Sequence, residues 1–222
     1  HRFPWDARQA AYRSMNDTFD YHFHGDLGLL AERDGAEAIP VLKKALVDTN
    51  PQVRWAAADM LSTLNDVSGL EQMRKDFKTF SSDQEHLEHA LEVARVLAKM
   101  GDISGYDVAA DLAIHGRSHG HRWRAAVVLA HIANTDKNPL QTMGRNPVAV
   151  LKIMADQEKH EGVFFVFIDQ VHKILIDRSD MIEIFAIAKE SKHHPTPPPG
   201  SRYRMAETFH SVAVRDKDKT WR

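Results

Sequence analysis

The chain has no cysteine among its 222 residues. Disulfide bonds, thiolate zinc ligands, a cysteine nucleophile and covalent haem attachment are therefore excluded within it. Long apolar runs are also lacking. The longest, at residues 162–168, is far shorter than the roughly 20 residues that a membrane-spanning helix needs. We therefore predict no membrane span.

Neither sign of charge is in excess, since 29 Lys and Arg oppose 31 Asp and Glu and leave a net charge of −2. Such a chain has no overall basic field to attract nucleic acid or an anionic membrane. The sequence begins at His1 without a methionine, which indicates a fragment or a processed product. Together with the missing thiols, this favours an extracytoplasmic location, with the cytoplasm as the alternative.

The sequence does contain an internal repeat. Residues 50–64 align without gaps on residues 118–132, and the shared positions carry an arginine, an aromatic residue, two alanines and a leucine. The matched pairs are Arg54 with Arg122, Trp55 with Trp123, Ala57 with Ala125, Ala58 with Ala126 and Leu61 with Leu129. A third copy places Arg202, Tyr203, Ala206 and Phe209 in the same columns, and a fourth, weaker copy contributes Leu97 and Asp102.

The leucine column recurs on average about every 37 residues, which is room for two helices in each unit. In the first unit, apolar residues at helical spacing predict one helix before the turn at 47–51 and a second after it. Asn50 is a good capping residue there, and Pro51 suits the first position of a helix. The run at 162–168 has a composition that suits a strand, but its position in the repeat favours a helix.

Residues 48–64 resemble the signature of HEAT repeats: an aspartate, a proline in the turn, Val-Arg, two alanines and then spaced leucines. The match is weaker around Trp123 and Leu97, and weakest around Phe165. The resemblance implies an all-α fold, a right-handed α-solenoid of about five helical hairpins with an N-terminal helical cap. The predicted boundaries are a cap at 1–33 and a solenoid at 34–222, with units near 34–66, 67–102, 103–143, 144–179 and 180–222.

The arginine and aromatic columns are the predicted partner-binding face, because Trp, Tyr and Arg dominate interface energetics. This face comprises Trp55, Trp123, Tyr203, Arg54, Arg122, Arg124, Arg202 and Arg204. Two structural alternatives stay open. The resemblance implies that the column arginine pairs with turn acids of a neighbouring unit, and the aromatic residues could pack between adjacent second helices.

A histidine-rich stretch, His-Gly-Arg-Ser-His-Gly-His at 115–121, suggests a metal-binding loop at first sight. The alignment instead places it at the turn between two helices, with His119 in the position of Pro51 and His121 in that of Val53. No acid or cysteine within the stretch could complete a tetrahedral zinc site. We therefore predict neither a metal nor a cofactor.

Proline is concentrated near the end of the chain, where residues 192–202 read Lys-His-His-Pro-Thr-Pro-Pro-Pro-Gly-Ser-Arg. Such a composition favours a polyproline II conformation. The segment is interpreted as a stiff surface loop or as an arm that docks into a partner or a neighbouring copy of this protein.

Helical-repeat proteins mostly bind other macromolecules, and no nucleophile elbow, phosphate-binding glycine loop or H-E-x-x-H motif is present. The predicted function is therefore a non-catalytic protein–protein interaction scaffold, binding subunit or assembly factor. Its partners would be other proteins in a larger complex or a second copy of itself. The alternatives are a HEAT-like enzyme or lyase with a concave-face pocket and, less favoured, a nucleic-acid-binding solenoid.

Overall fold

The structure is a computed structural model that describes residues 31, 34–135, 137–159, 164, 168, 174, 182–184 and 186. This part of the chain consists of helices and turns and contains no β-strand. The prediction of an all-α protein is confirmed to that extent.

Eight α-helices have both ends within the described residues, together with 3₁₀ turns at Gly35–Ala38 and Gln84–His86. The helices are α1 Ile39–Ala45, α2 Pro51–Thr63, α3 Leu70–Ser81, α4 Leu87–Lys99, α5 Tyr106–His115, α6 His119–Ala133, α7 Lys137–Thr142 and α8 Pro147–Gln157. The short helix α7 is the one of these that was not predicted from the sequence. None of the eight combines the length and apolarity needed to cross a lipid bilayer.

The helix starts follow from capping residues in the sequence. The Asn50 side chain accepts a hydrogen bond from the Gln52 N–H at 3.0 Å, and Pro51 occupies the first turn of α2. At the equivalent position of α6, the Ser118 hydroxyl accepts from the Gly120 N–H at 3.1 Å. Both bonds satisfy backbone donors that a helix N-terminus otherwise leaves unbonded.

Helices α2 and α4 end with the same backbone geometry. A residue with positive φ follows each helix, Asn65 at 58° and Gly101 at 82°. The next residue is an aspartate. Its backbone N–H donates to the backbone carbonyl of the buried leucine of the repeat, as in a Schellman motif. These bonds run from Asp66 to Leu61 at 2.8 Å and from Asp102 to Leu97 at 2.9 Å. The alignment of Asp66 with Asp102 therefore corresponds to a shared structure.

The chain divides into two compact units, His1–Thr79 and Phe80–Arg222. In the first unit, α1 packs against α2. The interface is formed by small and aliphatic side chains, among which Leu42, Val53, Ala57 and Leu61 are fully buried. The predicted boundaries of the cap and of the five repeat units remain predictions.

An ion pair also links α1 to the residues after α2. Lys43 Nζ lies 2.8 Å from Asp66 Oδ2. The hydrogen bond from Lys43, followed by those from the Ser68 side chain and backbone, lowers the pKa of Asp66 to about 2. Asp66 is therefore ionised throughout the neutral and mildly acidic range.

In the second unit, α6 packs against α4, α5 and α8, and α5 also packs against α8. The core contains Leu91, Leu97, Leu129, Ile132, Leu151 and Met154, all nearly or fully buried. Small residues allow close approach where α5 begins, since a Cβ added at Gly105 would lie 2.5 Å from Ala94 Cβ. Phe164 and Ile168, from the ambiguous apolar run, are helical and buried, as expected for the helical alternative.

Candidate functional site: two arginine–carboxylate pairs and a tryptophan groove

Arg54 forms a bidentate pair with a buried carboxylate. Its Nε and Nη2 donate to Asp76 Oδ2 and Oδ1, each at 3.0 Å. Its Nη1 donates to the backbone carbonyl of Asp48 at 2.8 Å, in the turn that precedes α2. The guanidinium therefore ties three parts of the first unit together, the turn, α2 and α3, through charge-assisted hydrogen bonds.

Trp55 belongs to the same network. Its side chain is 3% exposed, and its indole Nε1 donates to Asp76 Oδ2 at 2.9 Å. Gln72 Nε2 adds a fourth bond to this carboxylate, to Oδ1 at 2.9 Å. Each oxygen of Asp76 thus accepts two hydrogen bonds, so the buried charge is well satisfied. Trp55 is therefore buried within the first unit and bonded to α3.

Arg122, the repeat equivalent of Arg54, makes the same kind of pair in the second unit. Its Nε and Nη2 donate to Glu158 Oε2 and Oε1 at 2.7 and 3.0 Å. Its Nη1 donates to the Gly116 carbonyl at 2.9 Å, in the turn before α6. Glu158 caps the C-terminus of α8, and its side chain is only 2% exposed. Both column arginines therefore join a second helix to its own turn and to an acid of a later helix. The resemblance implied turn acids as the partners, whereas Asp76 lies within α3 and Glu158 at the end of α8.

The histidine-rich stretch forms the turn between α5 and α6. His115 is the last residue of α5, Gly116 is its C-cap, and α6 begins at His119. His119 Nδ1 contacts Arg122 Nη2 at 2.9 Å, and His121 is half-buried. Within the described residues no group of three or more His, Cys, Asp or Glu side chains is arranged to hold a metal ion. The placement at a turn is confirmed.

Gly116 is required in this turn because the backbone is crowded. A Cβ added there would lie 2.4 Å from the Leu112 carbonyl oxygen and 3.2 Å from His121 Cβ. The small residue lets the chain turn directly over the end of α5. The same tight turn presents the Gly116 carbonyl to Arg122.

Trp123 is placed differently from Trp55, although the two residues are equivalent in the repeat. It is half-buried, and the guanidinium of Arg124 lies over its ring at 5.3 Å from the centroid. Its indole N–H donates to no atom of the described residues, whereas that of Trp55 is bonded to Asp76. The Trp123 N–H is thus not engaged by the described residues, and part of the ring stays exposed.

Trp123 lines a groove of about 290 Å³ between α4 and α6 in the second unit. We call it the Trp123 groove. Its walls are Leu91, Glu92, Arg95, Trp123, Arg124, Val127, His131 and Ile174. Aliphatic and aromatic side chains form much of it, and the charged side chains that also line it, Glu92, Arg95 and Arg124, are called its rim here.

The charges around the Trp123 groove are paired. Arg124 Nη1 lies 3.2 Å from Glu88 Oε1 on α4, and both side chains keep substantial exposure. Arg95 bonds to Glu92 within α4. Gly120 leaves space for the first of these pairs, since a Cβ there would lie 2.9 Å from Arg124 Nη1 and 3.2 Å from Glu88 Oε1. The rim therefore carries no strong excess of either sign.

A larger cavity of about 430 Å³ lies beside the Arg122–Glu158 pair. Ala113, Ile114, Met154 and the chain at 156–159 form most of its remaining wall. The partly buried guanidinium of Arg122 and the buried carboxylate of Glu158, which both line this cavity, are bonded to each other. This arrangement suits the structural role of Arg122 better than catalysis, because an acid or base in use by a partner is not available for proton transfer.

The remaining members of the predicted face are Tyr203, Arg202 and Arg204, which lie outside the described residues. Of the described members, Arg54, Trp55 and Arg122 are drawn into buried networks, while Trp123 and Arg124 adjoin the groove. Sequence reasoning did not identify the carboxylates Asp76, Glu158 and Glu88 or the α4 wall of the groove. Asp76 and Glu158 are acids one or two helices after a column arginine, and Glu88 lies on a helix before Arg124; acids at such positions are too common to be a specific signal.

Comparison with known proteins yields no relative for this chain: no family model matches it, and neither the curated proteins nor the solved structures include a significant match.

Proposed function

We propose that this protein is a non-catalytic protein–protein interaction scaffold, binding subunit or assembly factor, and that the Trp123 groove is its contact site. One observation carries the proposal. Two repeat-equivalent tryptophans differ in their environment: Trp55 is buried with its N–H bonded, and Trp123 lines a groove with its N–H available. Half-buried tryptophan beside arginine is the composition of an interface hot spot.

The packing of the second unit supports the further proposal of a right-handed α-solenoid of about five hairpins over residues 34–222. Helices at equivalent repeat positions contact each other, α4 with α6 and α5 with α8, and α5 contacts α6 within one hairpin. Stacked helical hairpins pack in this way. The two arginine–carboxylate pairs support it as well, since each links successive hairpins.

The charge distribution favours protein over nucleic acid as the partner. Glu88 and Glu92 stand beside Arg124 and Arg95 at the groove, so a phosphate backbone would meet acids as well as bases. Nucleic-acid affinity depends on neutralising phosphates with unopposed Lys and Arg. A protein segment with an apolar side chain and a few hydrogen-bond acceptors fits the groove better.

The proposal is tested by capturing partners from an extract of the source organism with the full chain and with Trp123→Ala and Arg124→Ala variants. A hot-spot residue contributes about 2 kcal/mol or more, so each variant should weaken capture by roughly 30-fold. Ile153→Ala is the matched control, because Ile153 is an exposed apolar side chain of the second unit outside the groove.

Circular dichroism and thermal unfolding are used to check that the variants stay folded. Undiminished capture by a folded Trp123→Ala, Arg124→Ala double variant would refute the assignment of the contact site. Loss of the same partners in the Ile153→Ala control would also count against it, because that would indicate a general effect of surface truncation.

A further inference from the structure

The Trp123 groove has a specific hydrogen-bonding character. It offers donors, because the Trp123 N–H is bonded to no described atom and Arg124, which lies over the Trp123 ring, is ion-paired within the described residues only through Nη1, to Glu88. Its floor and walls include Leu91 and Val127, which supply apolar contact. A matching ligand therefore presents apolar rings or methylenes together with backbone carbonyl oxygens that accept hydrogen bonds. It has few N–H groups of its own, so it does not need acceptors from the groove.

Proline-rich extended chain has these properties. Proline lacks an N–H, and the polyproline II backbone makes no internal hydrogen bonds, so its carbonyls face outward as acceptors. Such segments dock onto aromatic-lined grooves with a small entropic penalty because the conformation is preformed. A helical ligand is a poorer match, since a helix with side chains measures about 10–12 Å across and has its carbonyls already bonded. The described residues also offer no strand edge for a β-strand ligand.

This chain carries such a segment in its own sequence. Four of its nine prolines fall within 195–199, and the stretch from His193 to Gly200 contains no Asp, Glu, Lys or Arg. A segment with little charge suits a groove whose rim acids and bases are paired. Every copy of the protein would therefore hold both the groove and its ligand.

We propose that the Trp123 groove binds the proline-rich segment 195–199 of a second copy of this chain. The proposal rests on the proposed function, and it names the occupant of that contact site. A two-fold arrangement forms the contact twice, because each copy then donates one segment and accepts another. The second contact is made at high effective concentration once the first has formed, which converts a weak single contact into a stable dimer.

The first test measures the mass of the full chain by sedimentation from about 1 µM to about 300 µM, a range that brackets weak to moderate association. The wild type should dimerise. Trp123→Ala removes the groove wall, and a Pro197→Ala, Pro198→Ala, Pro199→Ala variant removes the ligand. Each should weaken dimerisation by about 30-fold or more. Ile153→Ala and Pro40→Ala, at exposed positions, are the controls and should dimerise like the wild type.

Mixing the two defective variants tests whether the proline segment in the groove comes from a second copy or from the same chain. Trp123→Ala retains its proline segment, and the triple proline variant retains its groove. The mixture should therefore re-form a heterodimer through one contact, at weaker affinity than the wild type. A wild type that stays monomeric, a dimer unaffected by both variants, or a mixture that does not associate overturns the proposal.

A synthetic peptide of residues 191–202 provides a direct probe of the groove. Added to the triple proline variant, it should shift the indole N–H resonance of Trp123 and leave that of Trp55 in place. The absence of any shift overturns the proposal. If the peptide fails while Trp123→Ala still loses partners from the source extract, the occupant is another protein and the proposed function stands. If neither the peptide nor the extract responds to Trp123→Ala, both fail.

Discussion

Substitution of Asp76 by asparagine should destabilise the first unit more than any surface change. The carboxylate accepts two hydrogen bonds at each oxygen, from Arg54, Trp55 and Gln72, at 2.9–3.0 Å. Asparagine retains one oxygen, so about half of the bonds are lost and an NH₂ group faces donors. The Arg54 guanidinium, whose side chain is 14% exposed, would lose its counter-charge.

The expected loss follows from the burial of the pair. Removing one partner of a buried ion pair costs about 3–5 kcal/mol, because the remaining charge is left without compensation. For a chain of 150–250 residues, each kcal/mol lowers the melting temperature by about 2–4 °C. Asp76→Asn should therefore lower it by roughly 6–20 °C, measured by calorimetry or by circular dichroism at neutral pH.

Glu71→Gln is the matched control on the same helix. Glu71 pairs with Lys75 at 2.9 Å, but the two side chains are 83% and 65% exposed. An exposed pair of this kind is screened by solvent and contributes little, so the control should melt close to the wild type. Equal melting temperatures for the Asp76→Asn and Glu71→Gln variants would refute the reasoning. A double-mutant cycle of Arg54→Ala with Asp76→Ala should show a coupling energy well above about 0.5 kcal/mol.

Trp55→Phe should lower the free energy of unfolding by about 1.5–3 kcal/mol, because it removes a hydrogen bond to a buried carboxylate. Trp123→Phe should lower it by less than about 1 kcal/mol. Equal losses for the two variants in urea unfolding would contradict this prediction. The pKa of Asp66 is lowered from 3.8 to about 2, so its stabilisation is present above about pH 4 and is lost as the pH falls towards 2. Asp66→Asn should therefore be less stable than the wild type at neutral pH, with a difference that shrinks through that window; a constant difference from pH 6 to pH 2 would rule out the linkage. Gly105→Ala should lower the free energy of unfolding by about 1–3 kcal/mol, because the added Cβ overlaps with Ala94. Adding Ala94→Gly to the same chain should recover part of that loss. If denaturant titrations show no recovery, the overlap with Ala94 is not the cause.

Much of the helical framework could be predicted from the sequence, because it depends on local chemistry. Asn50 and Ser118 cap helices through their own side chains, and Gly101 allows the positive φ that ends α4. The buried Leu61 and Leu97 follow from helical spacing alone. Features of this kind involve residues close along the chain, so periodicity and residue type suffice to find them.

The roles of the repeated arginines and tryptophans depended on tertiary packing. Arg54 and Arg122 share a sequence pattern, but their acids lie 22 and 36 residues away, at different positions in later helices. Because Asp76 reaches both Arg54 and Trp55, that tryptophan is buried and bonded. Glu158 bonds to Arg122 from the end of α8, and Trp123 instead lines the groove between α4 and α6. Equivalent residues acquired different roles because the contacts that distinguish them come from distant parts of the chain, which no local pattern encodes.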